Sequence, residues 1–215
     1  THVGTTNMRS AIEHSINVCA VRTLTEVVGE EKGFEYLENF GITTLTDEDR
    51  TSQAKALGGI TNGVYNIELT AAYAAIANGG TYTEPILYTQ VLDHDGNVLL
   101  DNSTPDTHEV IKESTAYLLT NAMEDVINQG TGTSARLDNM HAAGKTGTTN
   151  SSTDLWLAAY TPYYTASVWG GYDSNKPMEN LSQSWHSRLW KAIMDRVHEG
   201  LEDKEFEVPS SVVEA

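Results

Sequence analysis

Apolar residues recur at helical spacing through most of the first 141 positions and at alternating spacing from residue 142 onward. Residues 7–29 predict two helical pieces: Asn7 is placed to cap the first, Ala11 and Ile12 keep its period, and Gly29 closes the second. Between them His14-Ser15-Ile16-Asn17 is polar where its flanks are apolar. Residues 31–40 predict a further helix ending at Gly41, and Thr46 followed three residues later by Asp49 is a helix-start signature. After the turn-rich residues 57–63, Asn66 is expected to cap an alanine-rich helix over 67–77, stopped by Asn78-Gly79-Gly80. Residues 85–92 and 98–100 flank His94-Asp95-Gly96-Asn97, whose Asp-Gly pair predicts a hairpin. Residues 113–129 carry the clearest helical pattern, with Leu119, Ala122, Met123, Val126 and Ile127 on one face and Gly130 as the stop.

Three strands follow, over 142–149, 154–160 and 165–172; the short turn at 161–164 makes the last two antiparallel neighbours. A last helix over 185–199 is expected to turn Leu189, Ile193 and Val197 toward the sheet, and the acidic tail beyond Gly200 to fray. The expected class is α/β, an antiparallel sheet flanked by helices plus a helical part. Residues 1–141 form the mostly helical portion with a hairpin near 85–100, and residues 142–215 the strands and C-terminal helix.

A chain of 215 residues can bury roughly 70% of its unfolded surface, enough for a real core. Thirteen basic against thirty acidic residues give a formal charge of −17, which argues against a nucleic-acid backbone as partner. No apolar run is long enough to span a bilayer. Thr1 is not a native start, so the sequence is expected to be a fragment or a processed form. Cys19 lies in the apolar run Val18-Cys19-Ala20-Val21 and is expected to be a buried, inert thiol. The seven histidines show no metal-ligand spacing, and neither a metal nor a cofactor is expected. Asn102-Ser103-Thr104, Asn150-Ser151-Ser152 and Asn180-Leu181-Ser182 match glycosylation acceptors by letter alone.

The candidate chemistry centres on Gly144-Lys145-Thr146-Gly147-Thr148-Thr149. On a strand Thr146 and Thr148 share a face, Gly147 permits close approach, and Lys145 adds a cation, a set suited to a carboxylate lying along a strand edge. Gly144-Lys145-Thr146 also ends a phosphate-binding loop, but Asn139 stands where that loop needs a glycine. Ser15 and Asn17 could simply cap the helix that starts near Val18.

Ser15-Ile16-Asn17 followed by Lys145-Thr146-Gly147 resembles two of the three motifs of penicillin-binding proteins and serine β-lactamases. Residues 56–64, Ala71-Ala72-Tyr73-Ala74, residues 77–80, Gly130-Thr131-Gly132 and residues 144–149 are similar to the transpeptidase domain of bifunctional (class A) penicillin-binding proteins. The resemblance implies a D,D-transpeptidase that crosslinks peptidoglycan through a serine acyl-enzyme, and an alternative is a non-catalytic peptidoglycan- or partner-binding module on the same fold. It implies Ser15, Asn17 and Lys145 as catalytic, with Thr146, Gly147 and Thr148 binding substrate. It implies D-Ala-D-Ala stem peptides and β-lactams as ligands, at the extracytoplasmic face of a bacterial membrane. The family's acylating Ser-x-x-Lys is expected upstream of Ser15, on a missing N-terminal segment of the same protein, as are the glycosyltransferase domain and anchor. The sole match, Ser52-Gln53-Ala54-Lys55, comes after Ser15 and reads as a chance occurrence in solvent. The isolated chain is therefore expected to be inactive.

Overall fold

A computed structural model describes residues 4–179 and 181–213; Asn180 of the third glycosylation-like triplet lies outside them. The helical part begins with α1 (Met8–Glu13), whose N-cap Asn7 accepts the Ser10 N–H at 2.8 Å. A sharp reversal leads to α2 (Asn17–Arg22), which continues as a π-helical turn, Thr23–Val28, ended by Gly29 at φ 87°. Next come α3 (Glu30–Asn39) and α4 (Asp47–Thr51). Asp49 reaches back to the Thr46 N–H at 2.9 Å, the reciprocal cap that the spacing predicts, and also accepts from the Thr61 N–H and hydroxyl.

A 3₁₀ turn, Gln53–Leu57, corrects the reading of Ser52-x-x-Lys55 as a solvent-exposed stretch. Lys55 is buried, and its Nζ donates to the carbonyls of Asp49, Arg50 and Ser52 at 2.9, 2.8 and 3.0 Å. All three ammonium donors are thereby used in holding the loop together.

Helix α5 (Asn66–Ala77) starts one residue earlier than expected. Its N-cap is Tyr65, and Asn66 caps nothing; its side-chain oxygen accepts from the Ser167 hydroxyl instead. Buried Ala71, Ala72 and Ala75 let this helix lie close to its neighbours. Strand β1 (Thr81–Thr83) pairs antiparallel with β4 (Thr107–Glu109), a ladder the sequence reading missed. Between them the predicted hairpin forms from β2 (Gln90–Leu92) and β3 (Val98–Asp101); residues 85–89 are not strand. Helix α6 (Glu113–Asn128) buries Ala122, Met123, Val126 and Ile127 as its periodicity requires.

The main sheet is β5 (Ala143–Thr148), β6 (Asp154–Tyr160) and β7 (Thr165–Gly171), antiparallel in that order. Helices α5 and α6 cover one face, where Tyr160 and Ala143 pack with Met123, and the Tyr160 hydroxyl meets Thr120 at 2.7 Å. On the other face Leu157 and Ala159 pack against Trp190 and Met194 of α7 (Trp185–Val197). Each fully buried leucine or isoleucine here contributes about 1.5–3 kcal/mol.

The stripe on α7 differs from expectation: Leu189, Ile193 and Val197 are exposed, while His186, Trp190 and Met194 turn inward. The indole N–H of Trp190 donates to Ala166 O at 3.0 Å, which fixes the helix in that rotation. The tail is not frayed either: Phe206 packs edge-on against Tyr160 at 5.6 Å, and Pro209 is buried. Cys19 is half-buried rather than enclosed, and no residue of α2 is fully buried.

Candidate functional site

The site is built where α1 ends beside the outer edge of β5. Glu13 closes α1, His14 follows it, and Ser15 reverses the chain with φ +54°, a left-handed conformation that costs a non-glycine residue about 1 kcal/mol. Two backbone bonds hold the reversal, Ser15 N–H to Ile12 O at 3.1 Å and Ile16 N–H to Ala11 O at 2.9 Å. Arg9 fastens α1 to α6 through Asp125 Oδ2 at 2.6 Å and the Asn121 carbonyl at 3.1 Å. Ser15 and Asn17 are not helix caps: the N-cap of α2 is Ile16, which makes no side-chain cap bond. Both side chains are exposed.

Strand β5 pairs only with β6 among the described residues, so its other edge is open. Gly144 allows that pairing at close range, since a Cβ there would lie 2.4 Å from the Ala159 Cβ. Lys145 sits mid-strand, opposite Ala158. A phosphate-binding loop would place this lysine at the start of a helix, so the strand removes that reading.

Lys145 Nζ donates to Ser15 Oγ at 2.7 Å and to the Thr146 carbonyl at 2.9 Å. Two sequence motifs 130 positions apart thus meet at hydrogen-bond distance. Burial with no carboxylate partner among the described residues pushes the Lys145 ammonium down to about 8. Thr146 is half-buried, Thr148 exposed, and Gly147 lies between them opposite Trp156. The Thr149 N–H donates to Asp154 O, toward β6, at 3.1 Å. Successive residues of an antiparallel strand alternate direction, so the Thr148 N–H points out from the open edge.

The edge therefore presents a cation, two threonine hydroxyls and an outward backbone N–H beside a serine held by that cation. Such a set accepts the acidic end of an extended peptide and can move a proton between hydroxyls. Two other concavities, one lined by Pro85, Leu87 and Pro105 and one by Leu45, Asn62 and Tyr65, are lined by no Lys or Arg and do not suit an anion. His14 faces Glu13 at 3.6 Å, and no hydrogen bond joins it to Ser15 among the described residues.

Sequence reasoning gave no role to Thr131. Its hydroxyl lies 2.7 Å from that of Thr146, and its N–H donates to Glu13 O at 3.3 Å. A threonine between two glycines just past a strong helix end was the signal available.

A family model described as penicillin binding protein transpeptidase domain matches residues 1–195. Penicillin-binding protein 1A of Clostridium botulinum is 38% identical over 216 residues, covering all of this chain and 26% of that protein. Penicillin-binding protein 1F of Bacillus subtilis is 36% identical over 204 residues, covering 91% of this chain and 28% of that protein. The chain thus spans about a quarter of the length of the curated relatives it matches. Among solved structures, PonA1 of Mycobacterium tuberculosis superposes with TM-score 0.86 at 25% identity, covering 99% of this chain and 61% of that one. The same protein in complex with penicillin V gives 0.85 at 26% identity, with the same coverage of both chains.

Proposed function

This chain belongs to the penicillin-binding protein transpeptidase family, and from that premise we propose that it is the lysine-bearing part of a D,D-transpeptidase that crosslinks peptidoglycan. The observation that carries the proposal is the 2.7 Å contact between Lys145 Nζ and Ser15 Oγ beside an open strand edge. In the proposed reaction an acylating serine attacks the carbonyl carbon between the two terminal D-alanines of a stem peptide. The C–N bond breaks, the terminal D-alanine leaves as the amine, and the serine proton reaches that nitrogen through Ser15. A neighbouring stem's amine then attacks the ester carbonyl; the new C–N bond forms, the C–O bond to the serine breaks, and the amine's proton returns to the serine oxygen. A β-lactam enters by the same attack and stays bound as the acyl-enzyme.

Each residue has a distinct task in this reading. Lys145 lends Ser15 positive potential and attracts the substrate carboxylate. Thr146 and Thr148 bind that carboxylate, with Gly147 keeping the strand approachable. The outward Thr148 N–H stabilises the oxyanion, a kind of contact whose loss costs roughly 10²–10³ in rate. Exposed Asn17 faces the substrate amide. Ser52 is unsuited as the nucleophile, because the ammonium of Lys55 is spent on three carbonyls. The acylating serine is therefore assigned to a segment of the same protein outside residues 1–215. The location proposed is the outer face of the cytoplasmic membrane; no described helix is long and apolar enough to cross one.

The test is labelling by a fluorescent penicillin, read by intact mass and peptide mapping. The protein made from its complete reading frame takes up one label, on a serine outside residues 1–215, and the isolated chain takes up none. A folded full-length protein that stays unlabelled removes the transpeptidase reading and leaves a peptidoglycan-binding module. A label on Ser52 overturns the motif assignment.

A further inference from the structure

We propose that Thr131 is a positioning residue that aims the Thr146 hydroxyl hydrogen into the groove. The proposal deepens the transpeptidase reading of the site and rests on it for the identity of the ligand.

The loop that carries Thr131 is fixed on both sides. Gly130 N–H bonds to Asp125 O and Gly132 N–H to Val126 O, each at 2.8 Å, which seats the loop on the last turn of α6. A Cβ on Gly130 would lie 2.5 Å from Glu13 O, and one on Gly132 would lie 2.9 Å from the Ile127 side chain. Glycine on both sides is thus what allows Thr131 to reach two partners. Its N–H binds Glu13 O at 3.3 Å, and its hydroxyl meets Thr146 Oγ1 at 2.7 Å, an ordinary hydroxyl–hydroxyl distance.

These contacts close a ring. Ser15 Oγ is held by Lys145 Nζ, Lys145 is bonded in sequence to Thr146, Thr146 meets Thr131, and Thr131 binds Glu13, two residues before Ser15. Lys145 also binds the Thr146 carbonyl, so the backbone of Thr146 is fixed by one neighbour and its side chain by another.

Hydroxyl chemistry then sets the direction of the bond. Each threonine hydroxyl has one hydrogen to donate, and a carboxylate can only accept. With an anionic ligand in the groove, Thr146 must give its hydrogen to the ligand and accept one from Thr131. Chains of this kind strengthen each member. Thr131 touches no ligand itself; it acts through Thr146.

The experiment compares Thr131→Val and Thr131→Ser with wild type in the full-length protein, using benzylpenicillin and its methyl ester. Thr131→Val is expected to slow acylation by benzylpenicillin about five- to tenfold, the range of one lost hydrogen bond, while the ester rate and melting temperature hold. Thr131→Ser is expected to restore the wild-type rate. Equal slowing with both penicillins means a merely structural role and overturns the proposal, as does no slowing with either. Calorimetric titration with acetyl-D-alanyl-D-alanine and its C-terminal amide separates this proposal from the reading beneath it. If wild type is never acylated but prefers the acid to the amide, and Thr131→Val loses that preference, the transpeptidase reading fails and Thr131 keeps its role. If the preference survives Thr131→Val, the role of Thr131 is refuted whatever the acylation result.

Discussion

Lys145 has opposing effects on binding and on stability. Burial holds its ammonium at about 8 rather than 10.5, so the folded chain binds fewer protons than the unfolded chain between those values. Its contribution to stability is present above 10.5, shrinks through that window and is gone below 8. At neutral pH the protein therefore carries a desolvated charge that burial penalises. Lys145→Met, which keeps the length of the side chain, is expected to raise the melting temperature at pH 7, with the gain shrinking as pH rises through 8. The same substitution is expected to abolish the preference for a carboxylate ligand, and in wild type that affinity should decline above pH 8 as the ammonium loses its proton. Calorimetric melting and titration of both proteins between pH 6 and 10 check each half. A lower melting temperature for the variant at pH 7 contradicts the account.

Local patterns made several elements legible, and long-range contacts made others illegible. The period of α6, the Asp49 reciprocal cap and the Asp95-Gly96 hairpin turn each depend on residues within one turn or one loop of each other. The pairing of β1 with β4 joins two three-residue strands some 26 positions apart, and nothing in either segment announces the other. On α7 two stripes run side by side, the apolar Leu189-Ile193-Val197 and the mixed His186-Trp190-Met194, offset by about 100° of rotation. Periodicity alone does not choose between them; the packing of Trp190 and Met194 on Leu157 and Ala159, with the Trp190 indole bonded to Ala166 O, selects one. The site shows the same division. Lys145, Thr146 and Ser15 could be named from short motifs, whereas Thr131 depends on where the end of α6 falls relative to β5. One strand-level consequence is measurable. Adding a methyl group at Gly144 places it 2.4 Å from the Ala159 Cβ and 2.8 Å from Ala158 O, so Gly144→Ala must force β5 away from β6. The expected cost is about 2 kcal/mol in urea unfolding. Gly147→Ala meets Trp156 Cβ at a milder 3.3 Å and should cost clearly less. Equal losses at the two positions would count against the packing argument.

Charge acts on the whole molecule. Between residues 56 and 111 there is no Lys or Arg, while Glu68, Glu84, Asp93, Asp95, Asp101, Asp106 and Glu109 are acidic. With a formal charge of −17 over 215 residues, self-repulsion opposes the compact state. Raising sodium chloride from about 0.05 to 0.5 M shortens the screening length from over 10 Å to under 5 Å and should lift the melting temperature by a few degrees. A scan showing no change, or a fall, would mean that the acidic groups sit too far apart to matter. The same repulsion bears on the open side of β5. A strand with unspent N–H and C=O groups is a template onto which any extended backbone can zip, including a neighbour's. A protein that must keep such a template free for its ligand lives with a standing risk of sticking to itself, and its excess negative charge keeps like copies at a distance. Brine should therefore both harden the individual fold and loosen that restraint, so the conditions that best resist heat would also be those in which the molecules first begin to clump.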